Sequence, residues 1–214
     1  MSQVKGLCVM DVDGTLILEE VIDLLGREVG REEEISQITS WAMRGELDFE
    51  SSLRKRVSLL AGLPVSVFEK VFNSIHLSPN AQKFVSILQK NAILVGLVSG
   101  GFSPIVERLA KSLGITYFSA NQVEVKDGLL TGKLVGQIIS PQIKKETLEQ
   151  WREELKLSKD RTIAIGDGAN DLLMLKSAGI GIAFCAKEVL KKEIQNHVDN
   201  RDFLEVLPLI DFLE

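Results

Sequence analysis

The chain has 214 residues, 45% of them hydrophobic and 26% charged, enough for one sizeable core plus a smaller accessory unit. A net charge of −5, with no basic run longer than Arg54-Lys55-Arg56, argues against a nucleic-acid binder. The longest apolar stretch, residues 92–98, is too short to span a bilayer.

The first apolar run, 6–10, predicts a strand, and it stops at Asp11, well short of a secretory signal core. Asp11-Val12-Asp13-Gly14-Thr15 follows it directly. Residues two apart on an extended segment project to the same side, so Asp11 and Asp13 can serve one site, while Gly14 lets the backbone turn tightly. Cys8 lies in this run and Cys185 in a later one; both read as buried, reduced thiols, and a cytoplasmic setting is expected.

Residues 17–76 carry few β signals. Stretches 19–29, 31–44, 49–60 and 65–74 read as amphipathic helices, separated by Gly30, Gly45 and Gly62-Leu63-Pro64. The acidic run Glu32-Glu33-Glu34 suits the first turn of one of them, where the helix dipole favours negative charge. A helical insert directly after a first strand is a natural lid. The expected division is therefore a core of 1–16 and 77–214 and a lid of 17–76.

Beyond the insert, helical patterns at 80–90, 103–113, 144–156 and 170–178 alternate with apolar runs at 92–98, 115–119, 162–166 and 180–185. This alternation predicts an α/β fold: a doubly wound, mostly parallel sheet with helices on both faces. Asp127-Gly128, between the alternating residues of 123–134, predicts an added β-hairpin.

Three predicted strands end in polar residues. The run 92–98 leads into Ser99-Gly100-Gly101, a hydroxyl and backbone N–H groups suited to cradling a phosphate. The run 162–166 leads into Gly166-Asp167-Gly168-Ala169-Asn170-Asp171. In a doubly wound sheet ligands bind outside the carboxyl ends of the strands. Two acidic clusters 156 residues apart can therefore meet around one divalent cation; Mg²⁺ characteristically takes only one or two carboxylates from the protein. One carboxylate can accept a phosphoryl group and another can move a proton. Lys144 and Lys145, 23 and 22 residues before Asp167, offer a point charge for the phosphate. His76 and His197 lack acidic or cysteine partners at ligand spacing and read as structural, and Trp41 and Trp151 read as helix-packing residues.

Together, Asp11-Val12-Asp13-Gly14-Thr15, Ser99, the later lysine and Gly166–Asp171 resemble the haloacid dehalogenase superfamily of phosphohydrolases. Glu20–Asp23, Leu47–Val57, Val98–Phe102 and Ala183–Lys187 carry a closer likeness to its phosphoserine-hydrolysing branch. The resemblance implies a Rossmann-like core and hydrolysis of O-phospho-L-serine through an aspartyl-phosphate, the last step of serine biosynthesis. It implies Asp11 as nucleophile and Asp13 as general acid and base. Mg²⁺ would be held by Asp11, the Asp13 carbonyl and Asp167, with Asp171 behind them. Ser99, Gly100, Lys144 and Asn170 would bind the phosphate; spacing to Asp167 selects Lys144 over Lys145. Glu20 would meet the substrate ammonium, Arg56 its carboxylate, and Phe49 would form an apolar wall.

One departure is Gly14, where many members of that branch have Ser. Phosphothreonine, phosphoethanolamine or transfer to homoserine are alternative chemistries, although Arg56 argues against a substrate without a carboxylate. A phospho-accepting receiver-like module is a remoter alternative, opposed by the helical insert and by Asp13. The small phosphomonoester is the expected partner, with neither nucleic acid nor membrane, and the chain as monomer or homodimer.

Overall fold

The computed structural model describes residues 4–43 and 46–212. One sheet holds β1 (Gly6–Met10), β2 (Ile93–Phe102), β3 (Tyr117–Lys126), β4 (Leu129–Val135), β5 (Thr162–Gly166), β6 (Ile180–Phe184) and β7 (Asn196–Val198). Their spatial order is β4-β3-β2-β1-β5-β6-β7, with every pairing parallel except β3 with β4. Strand β1 pairs with β2 on one side and β5 on the other, so its carboxyl end is the switch point where such sheets bind ligands.

All five residues of β1 are buried. Leu7 and Val9 join one apolar cluster, with Trp151 and Met174; Cys8 and Met10 join the other, with Phe84 and Phe203. A central parallel strand covered on both faces is apolar throughout for this reason.

Between β1 and β2 come α1 (Val21–Val29), α2 (Glu32–Met43), α3 (Phe49–Ser58) and α4 (Val67–Phe72). The acidic run does fall in the first turn of α2. The expected end of that helix at Arg44, and the break at Gly45, lie outside the described residues. The chain enters and leaves this segment side by side: Leu18 N–H donates to the His76 carbonyl (3.0 Å), and Ser78 N–H to that of Leu16 (2.9 Å). His76 Nδ1 lies 2.7 Å from Glu19 Oε1, an acidic partner 57 residues away that local spacing does not reveal. At its far side the segment rests on the hairpin, with Gly62 N–H donating to the Leu130 carbonyl (2.8 Å) and Val65 N–H to that of Gly128 (2.9 Å).

Helices α5 (Ala81–Lys90) and α6 (Ser103–Ser112) cover one face of the sheet. The other is covered by α7 (Pro141–Glu154), α8 (Leu172–Ser177) and α9 (Glu188–Lys191). Several boundaries differ from expectation, four of them with a visible cause or consequence. Helix α7 starts three residues early, because Ser140 Oγ accepts from Ile143 N–H (3.3 Å) and Pro141 sits in the first turn, where its missing N–H is harmless. The hairpin's first arm is no separate strand, since β3 runs straight from its parallel pairing with β2 into its antiparallel pairing with β4. Strand β2 does not end at Val98 but continues to Phe102 across an irregularity at 100–101. The segment 170–178 is a tight turn at 169–171 followed by α8.

Strand β7, three residues long, and the turn at 203–209 were not foreseen; three residues show no periodicity to read. Both cysteines are free, Cys8 buried within β1 as expected, but Cys185 only half-buried, because it lies one residue past the end of β6. Among the described residues no helix is long and apolar enough to cross a membrane.

Candidate active site

The site grows from the end of β1. Asp11 N–H donates to the Ile165 carbonyl (2.9 Å), extending the pairing with β5 by one residue. The chain then winds into one wide turn, closed by Ile17 N–H donating to the Val12 carbonyl (3.0 Å). Val12 N–H donates to Asp11 Oδ1 (2.8 Å), which fixes the carboxylate against its own backbone. Within this turn Gly14 has φ +70°, and a Cβ there would lie 3.0 Å from Asp167 Oδ2. The tight turn expected at Gly14 is thus made against the second acidic cluster. Thr15 Oγ1 donates to Asp167 Oδ1 (2.9 Å), locking the two motifs together.

Lys144 distinguishes itself from Lys145 by helical phase. Its side chain is completely buried, with Nζ 2.8 Å from Asp11 Oδ1 and 2.7 Å from Asp171 Oδ1. Lys145 is partly exposed and pairs with Glu149 at 3.6 Å. Asp171 Oδ2 accepts from Gly168 N–H (3.0 Å), so each oxygen of Asp171 has a protein donor.

The charges here do not balance. Carboxylate oxygens of Asp11, Asp167 and Asp171 lie within 4.8 Å of one another, and a single ammonium, Lys144, is buried among them. Burial raises Asp11 well above the ordinary carboxylate range, with Asp171 adding repulsion and Lys144 pulling back. Asp167 is raised by burial and then by Asp171. Burial works against the Lys144 charge, but Asp11 and Asp171 outweigh it and keep the ammonium protonated. With all three ionised, these carboxylates would exceed the Lys144 ammonium by two negative charges. A divalent cation with a preference for oxygen ligands matches that excess.

Asp13 sits differently. Its Oδ2 accepts from Val21 N–H (3.3 Å), while Oδ1 is buried with no hydrogen-bond partner among the described residues. Burial, with repulsion from Glu20, pushes this carboxyl up to about 8, so at neutral pH it is mainly a protonated acid.

A cavity of about 80 Å³ lies over these groups, with Asp11, Asp13, Phe49, Arg56, Gly100 and Asn170 in its wall. Residues from the turn after β1, from α3, from the irregular end of β2 and from the turn after β5 therefore meet at one place. Ser99, Lys144 and Asp167 stand just outside that wall; Ser99 is fully buried, and its Oγ accepts from Gly101 N–H (2.8 Å). Glu20 is also outside the wall and keeps an open face to solvent. Enough protein surrounds its carboxylate to raise it, with Asp167 and Asp23 adding repulsion and Arg56 lowering it.

Three contributors escaped the sequence reading. Arg201 Nη1 donates to the Gly14 carbonyl (2.8 Å) and so steadies the first motif from 187 residues away. Lys187, which lies in one of the stretches resembling the superfamily, places a charge that favours ionised Asp167 and Glu20. Asn121 is a buried amide that touches the Gly100 loop, and nothing in the sequence marks it.

A strand-end Asp-x-Asp, a buried lysine and a second acidic loop on a doubly wound sheet define a phosphohydrolase-type site. The haloacid dehalogenase-like hydrolase family matches residues 8–176, and the chain belongs to it. A phosphoserine phosphatase from Streptococcus thermophilus is 52% identical over 211 residues, covering 99% of this chain and 98% of that one. Another, from Lactococcus lactis, is 51% identical over 209 residues, covering 98% and 97%. A solved structure described as a phospho-aspartyl intermediate analogue of phosphoserine phosphatase has a TM-score of 0.91 at 42% identity, covering 97% of this chain and 99% of that one.

Proposed function

We propose that this chain hydrolyses O-phospho-L-serine to L-serine and inorganic phosphate, the last step of serine biosynthesis, in a cytoplasmic setting that suits its free thiols. The observation that carries the reading is that Phe49 and Arg56, from the helical segment 17–76, share one small cavity with Asp11 and Asp13. That segment is the lid and the rest of the chain the catalytic core.

Asp11 is the nucleophile, held in place by Val12 N–H and Lys144. One of its oxygens bonds to phosphorus as the bond to the serine oxygen breaks, giving an aspartyl-phosphate. Asp13, protonated at neutral pH, gives its proton to the departing serine oxygen. As a carboxylate it then takes a proton from water, whose oxygen attacks the phosphorus and releases phosphate and free Asp11. Ser99, Gly100, Asn170 and Lys144 hold the phosphoryl oxygens. In a loose phosphoryl-transfer transition state such positioning and charge neutralisation supply most of the catalysis.

Asp11, the Asp13 carbonyl and Asp167 would hold Mg²⁺, which when bound neutralises phosphoryl charge. Asp171 stays behind them, since its oxygens already serve Lys144 and Gly168. Glu20 and Arg56 read the amino-acid end. Free phosphoserine carries an ammonium and a carboxylate on one carbon, and Arg can grip the latter through two parallel hydrogen bonds. Phe49 covers the apolar part, its ring 3.6 Å from the place a Cβ on Gly100 would take.

Two expected results test these roles. Asp13→Asn should lower kcat by roughly 10²- to 10⁴-fold, the usual weight of a general acid and base. In the wild type, kcat should fall as pH rises through about 8, where Asp13 loses the proton it must donate. A pH profile of kcat that stays flat to pH 10 in the wild type would remove Asp13 from that role. Arg56→Ala should cut kcat/KM for phosphoserine roughly 10- to 150-fold, the worth of a charged hydrogen-bonded pair. The same substitution should leave phosphoethanolamine, which lacks the carboxylate, unaffected; equal losses on both substrates would show that Arg56 does not read that group.

A further inference from the structure

Strand β2 carries two residues that β3 does not match. Ser99 is opposite Ala120 and Phe102 opposite Asn121, so Gly100 and Gly101 bulge out of the ladder. An interrupted ladder leaves backbone groups that need other partners. Asn121, 1% exposed, supplies one: its Nδ2 donates to the Gly100 carbonyl at 2.8 Å. Its Oδ1 accepts from Ile139 N–H at 2.9 Å.

Both contacts lead to groups of the reaction. The Gly100 carbonyl and the Gly101 N–H are the two ends of one peptide unit, and that N–H donates to Ser99 Oγ at 2.8 Å. A hydroxyl that accepts on one side offers its own proton on another, so the plane gripped by Asn121 determines where Ser99 can donate. The same peptide borders Asp13, because a Cβ on Gly101 would come within 3.1 Å of Asp13 Oδ2. In the other direction Ile139 adjoins Ser140, whose Oγ caps α7 through Ile143 N–H and whose carbonyl accepts from Lys144 N–H at 2.9 Å.

We infer that Asn121 is a positioning residue for phosphoryl transfer: one buried amide ties peptide 100–101, which holds the Ser99 hydroxyl, to the chain entering the helix that carries Lys144. The inference rests on the phosphatase reading above. Misplacing catalytic groups by about 1 Å through a residue outside the chemistry can cost roughly 10²-fold in rate.

Asn121→Asp keeps the shape and the oxygen facing Ile139 but replaces the donor to Gly100 with an acceptor. The experiment measures kcat and KM for phosphoserine, binding of inorganic phosphate by calorimetry, and thermal unfolding, in the wild-type and Ser99→Ala backgrounds. The expected result is a kcat/KM about 10- to 100-fold lower and weaker phosphate binding. In the Ser99→Ala background the same change should add less than about 3-fold, because the two residues act as one unit. Asn121→Ala, which brings no charge into the interior, should repeat the pattern if the Asp variant fails to fold. Wild-type kcat/KM and phosphate binding in these variants would overturn the inference. So would losses that multiply fully with Ser99→Ala, the mark of a role in the fold alone. If the wild type releases no phosphate from phosphoserine, the functional reading fails, and phosphate binding alone then decides on Asn121.

Discussion

Asp11→Asn is expected to reduce phosphate release from phosphoserine by roughly 10⁵- to 10⁶-fold, the scale on which losing a covalent nucleophile acts. The substitution is isosteric and keeps an oxygen to accept from Val12 N–H and Lys144, so the fold has no reason to fail. It removes one of three clustered carboxylates, the one that burial and its neighbours already push toward its neutral form. The unfolding temperature should therefore hold steady or rise while activity disappears. Catalytic groups clustered against their electrostatic preference commonly trade stability for function in this way. Activity within about 100-fold of wild type would remove Asp11 from the nucleophile's role, because the residual effect of binding alone does not reach that level.

Lys144→Met is expected to damage both fold and function. The ammonium is fully buried between Asp11 and Asp171, and deleting one member of a buried ion pair costs about 3–5 kcal/mol because the other charges are left uncompensated. In a chain of this size that lowers the unfolding temperature by roughly 10 °C. Part of the loss should return at lower pH. Without Lys144 the pKa of Asp11 rises further above its unfolded value. A carboxyl raised by folding binds its proton more tightly in the native state, so stability recovers as pH falls through the folded value. Lys145→Met should do neither, since that side chain is partly exposed and pairs only loosely with Glu149. Thermal unfolding of both variants from pH 5 to pH 8 checks the contrast; equal stability of the two would show that the buried cluster does not depend on Lys144.

What could be read from the sequence follows the range of the interactions involved. Asp11, Asp13 and Asp167 were legible because each follows a short, mainly apolar strand, and the parallel order of β1 and β5 brings their ends together. The helical insert was legible because period-3.6 patterns replaced strand signals over many residues. The hairpin was recognised at Asp127-Gly128, but not that its first arm continues β3, because the strand changes partner from β2 to β4 without a break. Lys144 and Lys145 are equivalent in composition. Only the capping of α7 at Ser140, with Pro141 next, sets the helical phase that turns one inward and the other out.

Arg201, His76 and Asn121 depend on closure over long separations. Arg201 reaches Gly14, His76 reaches Glu19, and Asn121 finds its partner only because Gly100 and Gly101 break the ladder. No local pattern encodes such contacts. The residues with a repeating chemical signature announce themselves, while those that hold them in place do so through geometry alone.

Phosphate release from L-phosphoserine, L-phosphothreonine and phosphoethanolamine, each measured with Mg²⁺ and with EDTA, is the most direct test of the activity. Cleavage that requires the metal, with kcat/KM strongly favouring L-phosphoserine, is the result predicted from the proposed roles of Glu20 and Arg56 at the amino-acid end and of Asp11 and Asp13 in the chemistry. Equal cleavage of all three substrates, or undiminished cleavage in EDTA, would contradict it.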